Sequence, residues 1–404
     1  MNYDCLIVGS GHGGVQAAIS LRQHGFPGSI GLVSDDCDLP YERPPLSKDY
    51  LSGARPFERI LIRPPEFWAA RNIDLLLGNE AIALEAREKR ILCANGTAFG
   101  YGHLIWAAGG RPRKMTCPGQ ELGGIHSVRS RGDVDGIMAE LGNVQHVVVI
   151  GGGYIGLEAA AVLTKVGKRV VVLEAMDRVL ARVAAEPLSR FYEKEHRDHG
   201  VDVRLGTGVE SFVGHNGHLT GVRLTGGETL SADMAIVGIG ILPCVEPLIA
   251  AGAAGSNGVD IDEHCRTSLA DVFAIGDCAR MVSGHGLRIE SVQNASDQAT
   301  AVAKTLCGRP VPYASVPWFW SNQYDLRLQT VGLSSGYDRT VVRGDPNERK
   351  FSVVYLREGV VIALDCVNAV KDYVEGRALV ERGARIAADI LADASITLKS
   401  LVSR

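Results

Sequence analysis

The sequence predicts an α/β protein built on two βαβ units, followed by a smaller C-terminal α+β segment with an antiparallel sheet. Three observations predict this. An apolar strand runs into a glycine-rich turn and a helix twice, an acidic residue closes the next strand in each copy, and alternating strand patterns take over after Trp318.

In the first copy, Tyr3–Val8 reads as a buried strand and Gly9-Ser10-Gly11-His12-Gly13-Gly14 as the turn. A helical pattern follows from Val15 to about His24, with Gly25 at its C′ position, and the strand Ser29–Val33 then ends at Ser34-Asp35-Asp36. In the second copy, Val147–Ile150 leads into Gly151-Gly152-Gly153-Tyr154-Ile155-Gly156. A helix to about Val166, Gly167 and the strand Arg169–Leu173 bring the chain to Glu174. Glycines in such a turn let the backbone approach a pyrophosphate, and the helix N-terminus supplies N–H donors and a positive dipole end. Gly9, Gly11, Gly13 and Gly14 are therefore candidate ligands in one copy, and Gly151, Gly153, Tyr154, Ile155 and Gly156 in the other. Two complete copies imply two dinucleotides, between which hydride transfer becomes possible.

Further strands are expected at Arg90–Leu92, His103–Ala107, Val201–Leu205, Leu219–Leu224 and Ala235–Val237. The segment 267–277 reads as a strand delivering Asp277 at its end. Beyond Trp318, the strands Leu326–Leu333, Thr340–Arg343, Phe351–Leu356 and Val360–Val367 are followed by a helix over about Tyr373–Leu391.

Composition narrows the function. The 404 residues carry a net charge of −4 with no basic run, which argues against nucleic acid as a partner. Nine cysteines form no C-x-x-C pair, so neither a disulfide framework nor a zinc site is expected. They read as buried or incidental thiols in a reducing cytoplasm. The N-terminus enters a strand directly, without a charged leader. The long apolar stretch 234–255 contains Pro243, Glu246 and Pro247, so no membrane span is expected.

Glu174 stands where an adenosine ribose would lie. A carboxylate there accepts from the free 2′-OH of NADH and repels the 2′-phosphate of NADPH, although Arg178 and Arg182 nearby could soften that choice. Pro44 and Pro45 fix φ on the approach to Lys48, so that a lysine can be held at a defined place.

The Gly276-Asp277 ending, after a first glycine-rich βαβ unit, resembles the two-dinucleotide flavoprotein reductases of glutathione-reductase fold. More closely, Pro40–Lys48, Val149–Glu158, Arg288–Ala295 and Pro317–Ser321 resemble the putidaredoxin-reductase-like ferredoxin reductases, including the reductase components of ring-hydroxylating dioxygenases. The resemblance covers nearly the whole chain. It implies two Rossmann-like domains: FAD bound by residues 1–110 and 245–317, NADH by 111–244, and an interface domain over 318–404. It places Asp35, Arg43, Pro45, Lys48, Ala81, Arg129, Asp277, Val292 and Trp320 at FAD, with Glu158, Arg182 and Gly240 on the nicotinamide side. Asp35, not its neighbour Asp36, matches the family's acidic position. Lys48 would favour the negative charge that reduction brings, and Glu158 would pair with it across the domain junction. The alternative for that pair is a surface lysine and a helix-capping glutamate. Trp318 reads as a core aromatic. Two departures are Ala107-Ala108-Gly109, where the family often has Ala-Thr-Gly, and Trp106 before it.

The implied activity is hydride transfer from NADH to FAD, then single-electron transfer to a [2Fe–2S] ferredoxin feeding a monooxygenase or dioxygenase, by a monomer or weak dimer. Disulfide reductases of this fold need a C-x-x-x-x-C pair, which Cys37 lacks. Two alternatives stand beside it: an NADH oxidase or peroxidase using Cys37 as a redox thiol, and a non-enzymatic signalling role of the kind seen in the apoptosis-linked flavoproteins this fold resembles.

Overall fold

A computed structural model describes residues 1–283 and 286–402. The chain forms two compact units. The first comprises Met1–Arg43, Pro56–Arg111 and Ile241–Pro317, and the second Pro44–Arg55, Pro112–Gly240 and Trp318–Arg404.

The first unit is organised by a seven-stranded sheet. Ile73–Leu76, Ile30–Val33, Asn2–Val8 and Ala98–Trp106 run parallel in that order, and Val272–Ala274 joins Ala98–Trp106 in parallel at its C-terminal end. Arg90–Cys93 and Ala81–Glu85 complete the sheet as an antiparallel edge. Ile30–Val33 and Val272–Ala274 are buried at every position, the signature of strands covered on both faces. The register sets Val8 opposite both Val33 and Trp106. All these parallel strands therefore end at one edge, where the glycine turn begins. The expected strand at 267–277 shrinks to Val272–Ala274; Thr267 instead caps a tight turn by donating to Val272 O at 2.8 Å.

The second unit repeats the plan. Asp202–Arg204, Arg169–Leu173, His146–Ile150, Met234–Val237 and Ile125–His126 form a five-stranded parallel sheet. Its helix Tyr154–Lys165 closes as the first unit's His12–Gln23 does. Gly25 and Gly167 both sit at φ +83°, and Phe26 and Lys168 each donate five residues back, at 2.9 and 3.0 Å. These are the bonds of a left-handed helix stop, which only glycine enters without strain.

The same unit holds a five-stranded antiparallel sheet in the order Trp318–Gln323, Leu326–Gly332, Val360–Val367, Lys350–Arg357 and Arg339–Asp345. The single helix expected over 373–391 is two, Val370–Glu381 and Ala388–Ala392. Gly383 at φ +58° ends the first, and Arg385 then bridges to Val360 as an extension of the sheet. No helix among the described residues is long and apolar enough to cross a membrane.

Candidate functional site

The two glycine turns have the same anatomy. Gly9 and Gly151 take φ +107° and +110°. A Cβ on Gly14 or Gly156 would stand 1.8 or 2.1 Å from the carbonyl of Gly9 or Gly151, so strand and helix pack closely only because both are glycine. Gly11 and Gly153 differ: a Cβ there would meet nothing within 4 Å. Each is the N-cap of its helix, and neither helix has a side-chain cap. Uncapped N–H groups facing open space beside a dipole's positive end suit a pyrophosphate. Both turns therefore fit a dinucleotide. Gly13 packs against Ile275 and Ala295, the latter on the helix Val292–Leu306.

At the first turn, Ser10 and Ser34 share a 2.7 Å hydrogen bond. Asp36 is committed within the unit: it accepts from Tyr41 Oη at 2.7 Å and Asp38 N at 3.1 Å, with the Arg43 guanidinium 3.6 Å away. Asp35 is exposed beside it. Arg43 also donates to Tyr41 Oη at 2.8 Å and lies over that ring, 4.5 Å from its centroid. Trp106 is buried and donates Nε1–H to Cys244 O at 2.7 Å. Asp277 stands in the short turn Gly276–Cys278 and is half-buried. Its own carbonyl accepts from Arg288 at 2.6 Å, while Gly276 N donates to Gln298 at 2.7 Å. Ala81 opens an edge strand, and Val292 is the first residue of its helix.

At the second turn, Glu174 closes its strand and accepts from Gly152 N at 2.7 Å and Met176 N at 2.9 Å. Arg182 is exposed, and its guanidinium is 3.7 Å from where a Gly240 Cβ would stand, with Gly240 at φ +100°. Arg178 turns away. It donates to Ala181 O, Ala184 O and Ser189 Oγ, which ties it to the start of the helix Glu186–Asp198.

Lys48 and Glu158 come together. Pro44–Ser47 forms a 3₁₀ turn, and Lys48 Nζ, 15% exposed, lies 2.6 Å from Glu158 Oε2. Glu158 is 3% exposed on the helix Tyr154–Lys165. Both residues lie in the second unit, as do Pro45, Arg129 and Trp320. Ser47 and Ser321 also donate to Glu158, at 2.5 and 2.6 Å. Neither serine stands out alone in the sequence; the alternation of Phe319, Ser321 and Gln323 on one strand face is the signal that could have found Ser321. Tyr154 stacks obliquely on Phe319 at 4.8 Å, and burial pushes its hydroxyl well above the ordinary range. Trp318 is half-buried and tilts against Trp320 at 5.7 Å, so it is not the core residue expected. On a strand, Trp318 and Trp320 occupy the face opposite Phe319 and Ser321.

Residues 3–299 match the pyridine nucleotide-disulphide oxidoreductase family, and residues 318–402 match the reductase C-terminal family. The ferredoxin reductase subunit of 5,5'-dehydrodivanillate O-demethylase from Sphingobium sp. is 57% identical, over 100% of this chain and 99% of that one. Putidaredoxin reductase from Pseudomonas putida is 40% identical, over 100% and 97%. The solved covalent complex of putidaredoxin reductase with putidaredoxin superposes with a TM-score of 0.95, at 40% identity, over 100% of this chain and 98% of the matched one. The chain belongs to the pyridine nucleotide-disulphide oxidoreductase family. Within it, the chain falls in the ferredoxin reductase branch, an FAD-dependent oxidoreductase that takes a nicotinamide dinucleotide.

Proposed function

We propose that this protein oxidises NADH and reduces a [2Fe–2S] ferredoxin serving a monooxygenase or dioxygenase, as a cytoplasmic monomer or weak dimer. When bound, FAD supplies the chemistry that converts a hydride donor's electron pair into two single-electron deliveries. The observation that carries this reading is the Lys48–Glu158 ion pair, whose carboxylate is buried on the helix that opens at the second glycine turn. No two cysteines stand at C-x-x-C or C-x-x-x-x-C spacing for a thiol relay, so the lysine is the feature that adapts the fold to this task.

The turn at Gly9, Gly11, Gly13 and Gly14 binds the FAD pyrophosphate, with Asp35 on its ribose and Arg43, Ala81, Asp277 and Val292 as further contacts. The resemblance adds Pro45, Arg129 and Trp320 as further FAD contacts. The turn at Gly151, Gly153, Tyr154, Ile155 and Gly156 binds NADH, with Arg182 and Gly240 beside it. Glu174 accepts from its ribose, since each carboxylate oxygen engaged by a backbone N–H keeps a second lone pair. That arrangement favours NADH over NADPH. Lys48 supplies positive charge for the negative charge that reduction brings, and Glu158 fixes where the ammonium stands.

The test is anaerobic reduction of the holoenzyme, followed by flavin absorbance with NADH and NADPH in separate experiments and then with a [2Fe–2S] ferredoxin as acceptor. About one equivalent of NADH bleaches the flavin, and Lys48→Met slows that step roughly tenfold or more. An unchanged rate in Lys48→Met removes the role given to the pair.

A further inference from the structure

The Glu158 carboxylate is the end of a longer line of hydrogen bonds. Its Oε2 takes Ser47 and Lys48, while its Oε1 takes Ser321 Oγ at 2.6 Å. Ser321 Oγ accepts from Gln323 Nε2 at 3.2 Å. Gln323 Oε1 lies 2.9 Å from His196 Nε2, and His196 Nδ1 lies 3.0 Å from Tyr324 Oη. Ser321, Gln323 and His196 are all essentially inaccessible to water.

The directions of these bonds follow from chemistry. An amide oxygen only accepts, so His196 carries its hydrogen on Nε2. Burial holds the imidazole neutral by lowering its pKa to about 4. The lone pair on Nδ1 therefore accepts from Tyr324. Every hydrogen in the series points towards Glu158. A line of aligned dipoles in a dry interior strengthens its last bond.

Tyr324 supplies an independent observation. It occupies the hairpin turn between Trp318–Gln323 and Leu326–Gly332 at φ +56°, a region that disfavours an aromatic residue. Its ring stacks on His199 with centroids 3.7 Å apart, which holds the hydroxyl against His196. Strain kept in a turn that glycine or asparagine would fill easily marks a constraint beyond hairpin closure.

We propose that Ser321, Gln323 and His196 are positioning residues for the Lys48–Glu158 pair, fixing Glu158 Oε1 so that Oε2 keeps Lys48 in place. This rests on the role given to that pair above. The line orients and does not conduct protons. Gln323 accepts on oxygen and donates from nitrogen, and relaying a proton between them would require an imidic acid. The strand Trp318–Gln323 thus serves the nicotinamide helix through one face and presents Trp318 and Trp320 on the other.

Stopped-flow reduction of the anaerobic FAD-loaded protein over a range of NADH concentrations tests this, because it separates the limiting rate from NADH affinity. Ser321→Ala lowers the limiting rate about tenfold with the NADH dissociation constant within about twofold of the parent, and Ser321→Thr restores most of the rate. Gln323→Met, which leaves Ser321 in place, lowers the limiting rate in the same direction and carries the test if Ser321→Ala does not load FAD. A limiting rate for Ser321→Ala or Gln323→Met within about twofold of the parent overturns the proposal, as does a loss confined to NADH affinity. Lys48→Met separates the two ideas. Slow reduction in Lys48→Met with parental rates in the other variants overturns only the positioning role, whereas a parental rate in Lys48→Met overturns the reading beneath it.

Discussion

Gly9 and Gly151 face the same obstacle: a Cβ on either would stand 2.3 or 2.4 Å from a backbone carbonyl, that of Ala107 or Gly238. Each turn thus contains glycines required by the protein's own backbone and one glycine, Gly11 or Gly153, required by nothing within reach. The two kinds separate by mutation. Gly153→Ala keeps its thermal midpoint within about 2 °C of the parent while its KM for NADH rises roughly tenfold. Gly156→Ala, whose new methyl meets Gly151 O, loses several degrees as well. Melting curves and NADH titrations of both variants check this, and a Gly153→Ala enzyme with parental KM would show that no phosphate approaches there.

Nucleotide choice is assigned to Glu174. Glu174→Ala removes the acceptor for Gly152 N and Met176 N, and with it the acceptor proposed for a ribose hydroxyl. We expect kcat/KM for NADH to fall about tenfold to a hundredfold while that for NADPH falls far less, so the preference narrows. Steady-state reduction of ferricyanide with each nucleotide measures the ratio, and an unchanged ratio would move specificity elsewhere.

Trp106 stands one residue before the Ala-Ala-Gly departure and donates to Cys244 O inside the first unit. Trp106→Phe removes that hydrogen bond and leaves space where the buried indole was. The expected cost is about 1–3 kcal/mol, read as a lower denaturant midpoint with an unchanged slope.

Two buried groups set opposing pH dependences in the second unit. Burial, helped by the neighbouring His199 and partly offset by the Gln323 amide, lowers His196 to about 4, with the Tyr324 hydroxyl facing its other ring nitrogen. Between pH 6.5 and 4 the unfolded chain binds a proton there that the folded chain refuses, so acidification over that window removes stability. Burial raises Asp365 to about 7, partly offset by the Tyr355 hydroxyl at 2.5 Å. Between pH 3.8 and 7 the folded chain keeps a proton that the unfolded chain has lost, so raising the pH over that window removes stability. Asp365→Asn should therefore gain more at pH 8 than at pH 5, by about 3 kcal/mol at roughly 1.4 kcal/mol per pKa unit. Equal shifts in denaturant midpoint at the two pH values would mean that Asp365 is ionised in the fold.

Much of the fold is legible because its signals are local. Glycines at fixed offsets after an apolar strand, with a further glycine at the helix stop, mark both βαβ units to within a few residues. Legibility ended where long-range packing decides. The helix pattern from 373 to 391 is continuous in polarity, yet Gly383 and the bridge from Arg385 to Val360 divide it. Arg343, donating to Asp372 and to the carbonyls of Asp393 and Ile396, then fixes the segment beyond. At the site, Lys48 and Glu158 stood out as charges in motif strings. Ser47 and Ser321 carry no such mark, since each acquires its meaning from a partner 111 or 163 residues away.

The hydroxyl that Ser321 lends to Glu158 makes the C-terminal sheet a poor candidate for free exchange between relatives. Grafting residues 318–402 from another reductase, to redirect electrons to a different acceptor, would also replace whatever touches Glu158 Oε1. Such a chimera keeps its nucleotide half intact only if the incoming strand carries a donor at position 321. Modularity in this chain therefore ends within its first C-terminal strand, at Ser321, shortly after the C-terminal family match begins at Trp318.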